Sequence, residues 1–260
     1  MPEGHTIHAA ARKHRRVLVG NLVYVSSPQG RFQAEALKLN CTVCQAVEAY
    51  GKHLIYQFDN QKFLHIHLGL FGRIRLHEAP ATDPRGTVRV RLVSKSHAID
   101  VSGPTICEIY SKAQVKRLIS RIGPDPLRND SNPEQVFTRI SHSRAAIGKL
   151  LMDQSVISGI GNIYRTELLW RQSIHPNTPG KCLNRSQLRE LWDDAVFLLE
   201  IGVKKNAIVT IKNPLIGNKK TKEKLNIFGK NLCPKCKNTV VQLSINGRKA
   251  FVCEKCQLLR

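Results

Sequence analysis

Four cysteines close the chain at C-x2-C-x16-C-x2-C spacing: Cys233, Cys236, Cys253 and Cys256, all within the last 28 residues. No other pattern limits the fold as tightly. Two such pairs bring four thiolates to one tetrahedral ion, and Zn2+ is the ion that donor set suits. With four protein ligands no position stays open for substrate, so the metal is expected to be structural. Between the pairs, residues 240–245 and 249–252 read as two strands, and Asn246-Gly247 is the preferred two-residue type I′ turn. The expected unit is a zinc-held β-hairpin with Arg248 near its tip, either solvated or reaching a phosphate or base. Cys41 and Cys44 repeat the C-x2-C spacing without a second pair and read as buried thiols. Cys107 and Cys182 are isolated.

Charge narrows the partner. Lys and Arg outnumber Asp and Glu by 41 to 19, and residues 203–260 hold 14 basic residues against Glu223 and Glu254. An excess concentrated in this way points to a polyanion. No apolar run approaches a membrane span. Arg12, Lys13, Arg15 and Arg16 stand where a secretory signal would be apolar. The reading is a soluble protein of a reducing compartment.

Thr6 is placed as the cap of a helix over 7–19, with Gly20 as its stop. Residues 21 to about 120 read mainly as strands separated by turn signals, a β-sandwich or barrel. Gly123-Pro124-Asp125-Pro126 has linker composition. Beyond it helices are expected over 133–141, 144–154, 162–172 and 186–203, then a Lys- and Asn-rich loop or short elements over 206–232.

Several residues carry possible chemistry. Loss of Met1 would leave Pro2 as a secondary amine able to attack an aldehyde-level sugar carbon, with Glu3 beside it as acid or base. Gly51-Lys52-His53 joins two apolar segments at a turn, where a lysine is ordinarily solvated. Leu70 and Phe71 lie between Gly69 and Gly72, as core anchors or as a wedge between bases. In Gly159-Ile-Gly-Asn-Ile-Tyr-Arg165, Asn162 opens a helix whose free N–H groups suit phosphate, though a plain glycine turn reads the same way.

Taken in chain order, Met1-Pro2-Glu3-Gly4, Tyr50-Gly51-Lys52-His53-Leu54, the 67–72 loop, Leu151-Met152-Asp153-Gln154 with Gly159 to Tyr164, and the cysteines with Arg248 resemble the formamidopyrimidine-DNA glycosylase/endonuclease VIII family. The resemblance implies an α+β multidomain fold: a β-sandwich carrying the N-terminal helix (1–123), a helical helix–two-turn–helix domain (124–229) and a zinc finger β-hairpin (230–260), with DNA in the cleft between the first part and the other two. It implies base-excision repair of damaged DNA. Pro2 attacks C1′ and expels the base, Glu3 moves protons, and β- and δ-elimination cut the strand. It further implies that Lys52 contacts phosphate and assists proton transfer, that Asn162 and Arg248 clamp phosphates, and that Leu70 and Phe71 fill the void left by the flipped base. One Zn2+ holds Arg248 in place. The expected protein is monomeric, bacterial, cytoplasmic and nucleoid-associated, without membrane contact.

Two departures bear on substrate. The start Pro2-Glu3-Gly4-His5-Thr6 and the stretch Ser102-Gly103-Pro104-Thr105-Ile106, which lacks an intercalating arginine, differ from the 8-oxoguanine-directed pattern. The 206–230 segment is also short for a loop that caps flipped 8-oxoguanine. The chain looks more like the endonuclease VIII branch, in particular its second actinobacterial type, and oxidised pyrimidines are the expected lesions. The alternatives are a purine-lesion glycosylase of the same fold, a catalytically inactive damaged-DNA-binding paralogue, and a zinc-finger transcription regulator.

Overall fold

A computed structural model describes residues 2–211 and 221–259. It divides into two compact units, one ending at Arg121 and the other beginning at Ile122. Part of the 206–230 segment, residues 212–220, lies outside the described residues.

The first unit opens with α1 (Gly4–Leu18). The helix begins earlier than Thr6 would place it. Glu3 occupies the cap position with extended backbone, and its carbonyl accepts Thr6 N–H at 2.9 Å. Ile7, Ala11, His14 and Leu18, at i, i+4 and i+3 spacing, form its buried stripe. Val19 is already extended, and Gly20, at φ +80°, turns the chain into the sheet.

Eight strands follow in the order β5-β7-β6-β1-β2-β3-β4-β8: β1 (Leu22–Ser26), β2 (Thr42–Tyr50), β3 (His53–Phe58), β4 (Phe63–His67), β5 (Arg73–Glu78), β6 (Val88–Val93), β7 (His97–Ser102) and β8 (Ile106–Tyr110). Strand β1 makes the sandwich, because Leu22 and Val23 pair with β2 whereas Tyr24 to Ser26 pair with β6. The chain thus passes from one layer to the other within five residues. Val47, Leu54, Tyr56, Leu64 and Ile66 from one layer share a core with Val90, Leu92, Ile99 and Val101 from the other.

Two helices interrupt the region read as strands. The first, α2 (Gln33–Leu39), packs on β1. The second, α3 (Lys112–Arg121), covers the outer face of β3 and β4 with Val115, Leu118 and Ile119 against Ile55 and Phe63. Its start was legible as a capping box: Gln114 N–H donates to Ser111 Oγ and Ser111 N–H to Gln114 Oε1. Of the two thiols expected to be buried, Cys44 is, and burial pushes it up to about 12. Cys41 is instead exposed, at a φ of +57° in the turn before β2.

In the second unit α4 (Pro133–Ser141), α6 (Asn162–Arg171) and α7 (Arg185–Lys205) stand close to expectation, α4 capped by Asn132 and α7 by a box of Asn184 and Gln187. The helix expected over 144–154 shrinks to one turn, α5 (Ile147–Leu150). Ile147 and Gly148 N–H groups donate to the Thr178 and Pro176 carbonyls, which leaves no room for an earlier turn. A Cβ on Gly148 would lie 2.9 Å from Pro176 O. The 206–232 stretch contributes one 3₁₀ turn, Thr221–Lys224, among its described residues. The closing hairpin pairs β9 (Val241–Ile245) with β10 (Arg248–Val252) in the expected register, and Asn246 and Gly247 both take positive φ.

Glu167 ties these parts together. Its carboxylate is fully buried and accepts the backbone N–H groups of Asn226, Ile227 and Phe228 at 2.7–2.9 Å, together with the Thr210 hydroxyl and the Asn226 amide. It therefore fixes the chain on its way into the cysteine cluster. Glu167→Ala would leave three backbone donors without their acceptor, that of Ile227 in the interior and those of Asn226 and Phe228 partly buried. The expected result is a loss above about 3 kcal/mol, read as a lower urea midpoint for the second unit.

Candidate nucleic-acid interface and metal centre

In the first unit, packing decides which groups share a place. Arg15 donates to the Val47 carbonyl at 2.7 Å and to Glu48 at 2.9 Å, His14 Nδ1 meets Tyr56 Oη at 2.7 Å, and Val19 bridges Cys44. Moving back along α1 from Val19 to Arg15 therefore moves forward along β2 from Cys44 to Val47. The helix start lies about 16 Å further back, and the end of β2 about 10 Å further on. Glu3 and the Gly51-Lys52 turn consequently occupy the same end of the sandwich. Glu3 is fully buried at the head of α1, where the helix dipole favours a carboxylate. Pro2, half-buried, leads into it.

Lys52 is half-buried at the tip of a two-residue hairpin closed by Tyr50 and His53. Gly51, at φ +56°, supplies the positive dihedral at the first central position, as type II′ turns require. Two further loops reach this end, since His67 pairs with His53 and the Thr105 N–H donates to the His67 carbonyl at 2.8 Å. In the 68–72 loop Leu70 and Phe71 are 47% and 85% exposed, so they are not core anchors but an apolar projection. The loop is tight. Gly69 has φ +63°, and a Cβ there would run into the Thr105 hydroxyl.

Sequence reasoning missed the histidines beneath Lys52. His53 Nδ1 lies 3.0 Å from His65 Nε2, the His53 and His67 rings are 4.8 Å apart, and His65 packs on Tyr110 at 4.6 Å. Gly69 N–H donates to His67 Nδ1 at 3.2 Å. Alternation in Phe63-Leu64-His65-Ile66-His67 places both β4 histidines on the non-core face, a signal that was present in the sequence. Burial, then neighbouring charges, lowers His53 to about 3 and His65 to about 4, and the Lys52 ammonium acts on His53 and His67 alike. Burial also lowers His5 to about 4 and His14 to about 3.

In the second unit Asn162 and the hairpin meet. Asn162 does not cap α6; that position belongs to Gly161. Its amide donates to the Lys249 carbonyl at 3.0 Å, and the fully buried Arg165 guanidinium donates to Asn162 Oδ1 and to the same carbonyl at 3.1 Å. The head of α6 thus grips the residue next to Arg248, which is itself exposed at the start of β10.

The sulfurs of Cys233, Cys236, Cys253 and Cys256 all lie within 4.8 Å of one another. Trp170 Nε1–H donates to Cys233 Sγ at 3.4 Å, and Gln257 ties the final turn to the Ile174 carbonyl at 2.8 Å. Burial, then the neighbouring sulfurs, pushes Cys256 up to about 12. Burial also acts against the Cys233 thiolate, but the Cys236 N–H, the Trp170 indole and the Lys235 N–H outweigh it and bring Cys233 down to about 6. Four sulfurs gathered this closely are a donor set that fits one structural Zn2+.

Two outcomes follow. Each buried histidine is neutral when folded but titrates near 6.5 when unfolded, so protons bind the unfolded chain preferentially as pH falls. Stability of the first unit is expected to decline as pH falls from 6.5 to about 3. Its thermal midpoint should be at least about 5 °C lower at pH 5 than at pH 7.5. In the second unit, elemental analysis should find one zinc per chain, and a strong chelator should abolish the amide dispersion of the β9–β10 hairpin. A hairpin that survives chelation would contradict the metal assignment.

Comparisons with known proteins place the chain in a family. Residues 1–103 match the formamidopyrimidine-DNA glycosylase N-terminal domain, 122–213 its H2TH domain, and 231–258 the zinc finger found in FPG and IleRS. The chain is 38% identical to Endonuclease 8 1 of Mycobacterium tuberculosis (strain ATCC 25618 / H37Rv), over 99% of this chain and 100% of that protein. It is 28% identical to formamidopyrimidine-DNA glycosylase of Streptococcus pyogenes serotype M3, over 86% of this chain and 85% of that one. Its fold is that of wild-type Lactococcus lactis Fpg, solved with DNA containing N7-benzyl-Fapy-dG, at a TM-score of 0.82 and 24% identity over 99% and 100% of the two chains. With a full-length relative at 38% identity and family models matching all three parts, the chain belongs to the formamidopyrimidine-DNA glycosylase/endonuclease 8 family of DNA repair glycosylases.

Proposed function

We propose that this protein is a bifunctional DNA glycosylase and abasic-site lyase that removes oxidised bases, pyrimidines foremost, in base-excision repair. The observation that carries this reading is the meeting at one end of the sandwich of the Pro2-Glu3 helix start, the Lys52 turn and the Leu70-Phe71 projection. Removal of Met1 exposes the Pro2 nitrogen. That nitrogen bonds to C1′ of the damaged nucleotide, the C1′–base bond breaks, and the base leaves with a proton. Ring opening gives an iminium, with Glu3 protonating the sugar oxygen. The iminium acidifies C2′–H, and loss of that proton expels the 3′ phosphate by β-elimination; δ-elimination then releases the 5′ side. Lys52 steadies a phosphate and the proton transfers around it.

Leu70 and Phe71 suit the void that a flipped base leaves behind, because two large apolar groups held out by a glycine-tight loop gain by entering the stack. Asn162 and Arg248 hold backbone phosphates, Asn162 through its remaining amide hydrogen or the α6 N-terminus. Zinc, bound by the four cysteines, supplies a structural cross-link and no reaction step.

The pyrimidine preference rests on the 102–106 stretch, which offers no arginine, and on similarity to a protein named endonuclease 8. Borohydride trapping on duplexes with 5-hydroxyuracil, 8-oxoguanine or an abasic site tests activity and preference together. An adduct with the pyrimidine lesion is expected, and Glu3→Gln should bind that duplex yet lose base release by at least about a hundredfold. Trapping with 8-oxoguanine alone would overturn the preference. Tight binding without any adduct would mark a damaged-DNA-binding paralogue.

A further inference from the structure

The histidine pair beneath Lys52 fixes a proton position. An imidazole–imidazole hydrogen bond needs one ring to donate and the other to accept. The His65 ring is fully buried, and its Nδ1 has no partner among the described residues. Were His65 Nε2 the acceptor, its proton would sit on Nδ1 as an N–H stranded in the interior, an arrangement proteins avoid. His65 therefore donates through Nε2–H to His53 Nδ1 across the 3.0 Å contact. His53, its Nδ1 occupied as acceptor, then carries its own proton on Nε2.

Burial supports the neutral state that this logic requires, since neither ring protonates until the pH falls to about 4 or 3. His53 is only partly buried, directly follows Lys52, and closes the hairpin that Lys52 tips. A neutral N–H donor is thus fixed beside an ammonium group at the end of the sandwich where the N-terminal residues lie. An ammonium and an oriented N–H at one turn suit the oxygens of a phosphodiester.

We propose that His65 is a positioning residue whose buried hydrogen bond locks the tautomer of His53, and that His53 Nε2–H donates to a backbone phosphate of the DNA strand held by Lys52. This inference rests on the proposed reading that damaged DNA is bound at this end of the sandwich. It adds two side chains to that site, only one of which touches the ligand.

The test uses the full-length, zinc-loaded protein labelled with 15N-histidine, and a duplex carrying a tetrahydrofuran abasic analogue. Long-range 1H–15N spectra at pH 7.5 should show His53 protonated on Nε2 and bare on Nδ1, the signal being assigned by its loss in His53→Gln. In His65→Phe the His53 signals should move toward the average of the two tautomers. In binding, His53→Phe should weaken affinity for the duplex by about tenfold. His53→Gln, which keeps an N–H near the same place, should stay within about twofold of wild type. The salt slope of His53→Phe should equal that of wild type, because a neutral donor displaces no counterion. A purely structural role for His53 would show no rescue by glutamine. Wild-type affinity in His53→Phe, or a His53 proton found on Nδ1, would overturn the proposal. Should His65→Phe fail to fold, the wild-type spectrum alone decides the lock. A wild-type protein with no preference for the tetrahydrofuran duplex would sink the DNA reading and the phosphate contact with it, while the spectrum would still report on His65.

Discussion

Where the head of α1 falls is decided at its other end. Arg15 on the Val47 carbonyl and His14 on Tyr56 seat the last turns of the helix across β2 and β3. From that seat the rigid rise of the helix carries Glu3 to the end where β2 and β3 turn at Lys52. A slip of one helical turn would displace the N-terminal residues by about 5 Å, more than any hydrogen bond spans. His14 stays neutral in the Tyr56 contact, because burial, then the Lys13 charge, holds it at about 3. Stability and site geometry therefore depend on the same contact.

The second unit solves a similar problem by other means. A hairpin as small as β9–β10 buries too little to hold an exposed arginine in a set position. Three attachments compensate: the four-sulfur cage, the Glu167 carboxylate gathering the approaching chain, and the Asn162–Arg165 grip on the Lys249 carbonyl. Two of these come from a single helix, α6, with Asn162 and Arg165 on one side and Glu167 toward the segment entering the cysteines. The buried charges of Arg165 and Glu167 are tolerable only because their partners are fixed backbone and amide groups. A metal site and a helix start that look independent in sequence form one support for Arg248.

The chemistry-bearing residues were legible where a local rule singles them out. Cysteine spacing identified the cage, Asn246-Gly247 identified the turn, and helical patterning over 133–141 and 186–203 located two helices close to where they form. What could not be read depends on tertiary partners. The 144–154 segment has helical character, but Pro176 and Thr178 take its first N–H groups. Glu3, fully buried and extended, holds the cap position in place of Thr6, a burial that no local pattern announces. Asn162 looked like a phosphate-ready cap, yet its amide serves a strand 87 residues away. The histidine pair was hidden differently: His53 and His65 are twelve residues apart and meet only through the β3–β4 register.

Two amines at one end of the sandwich are candidates for covalent chemistry, the Pro2 nitrogen and the Lys52 ammonium, and the proposed nucleophile is the first. The most direct measurement is peptide mapping by mass spectrometry of the borohydride-reduced DNA adduct after protease and nuclease digestion. The nucleotide mass is expected on the N-terminal peptide, with fragment ions placing it on Pro2 and with Met1 gone. The same mass on the peptide containing Lys52 would contradict it.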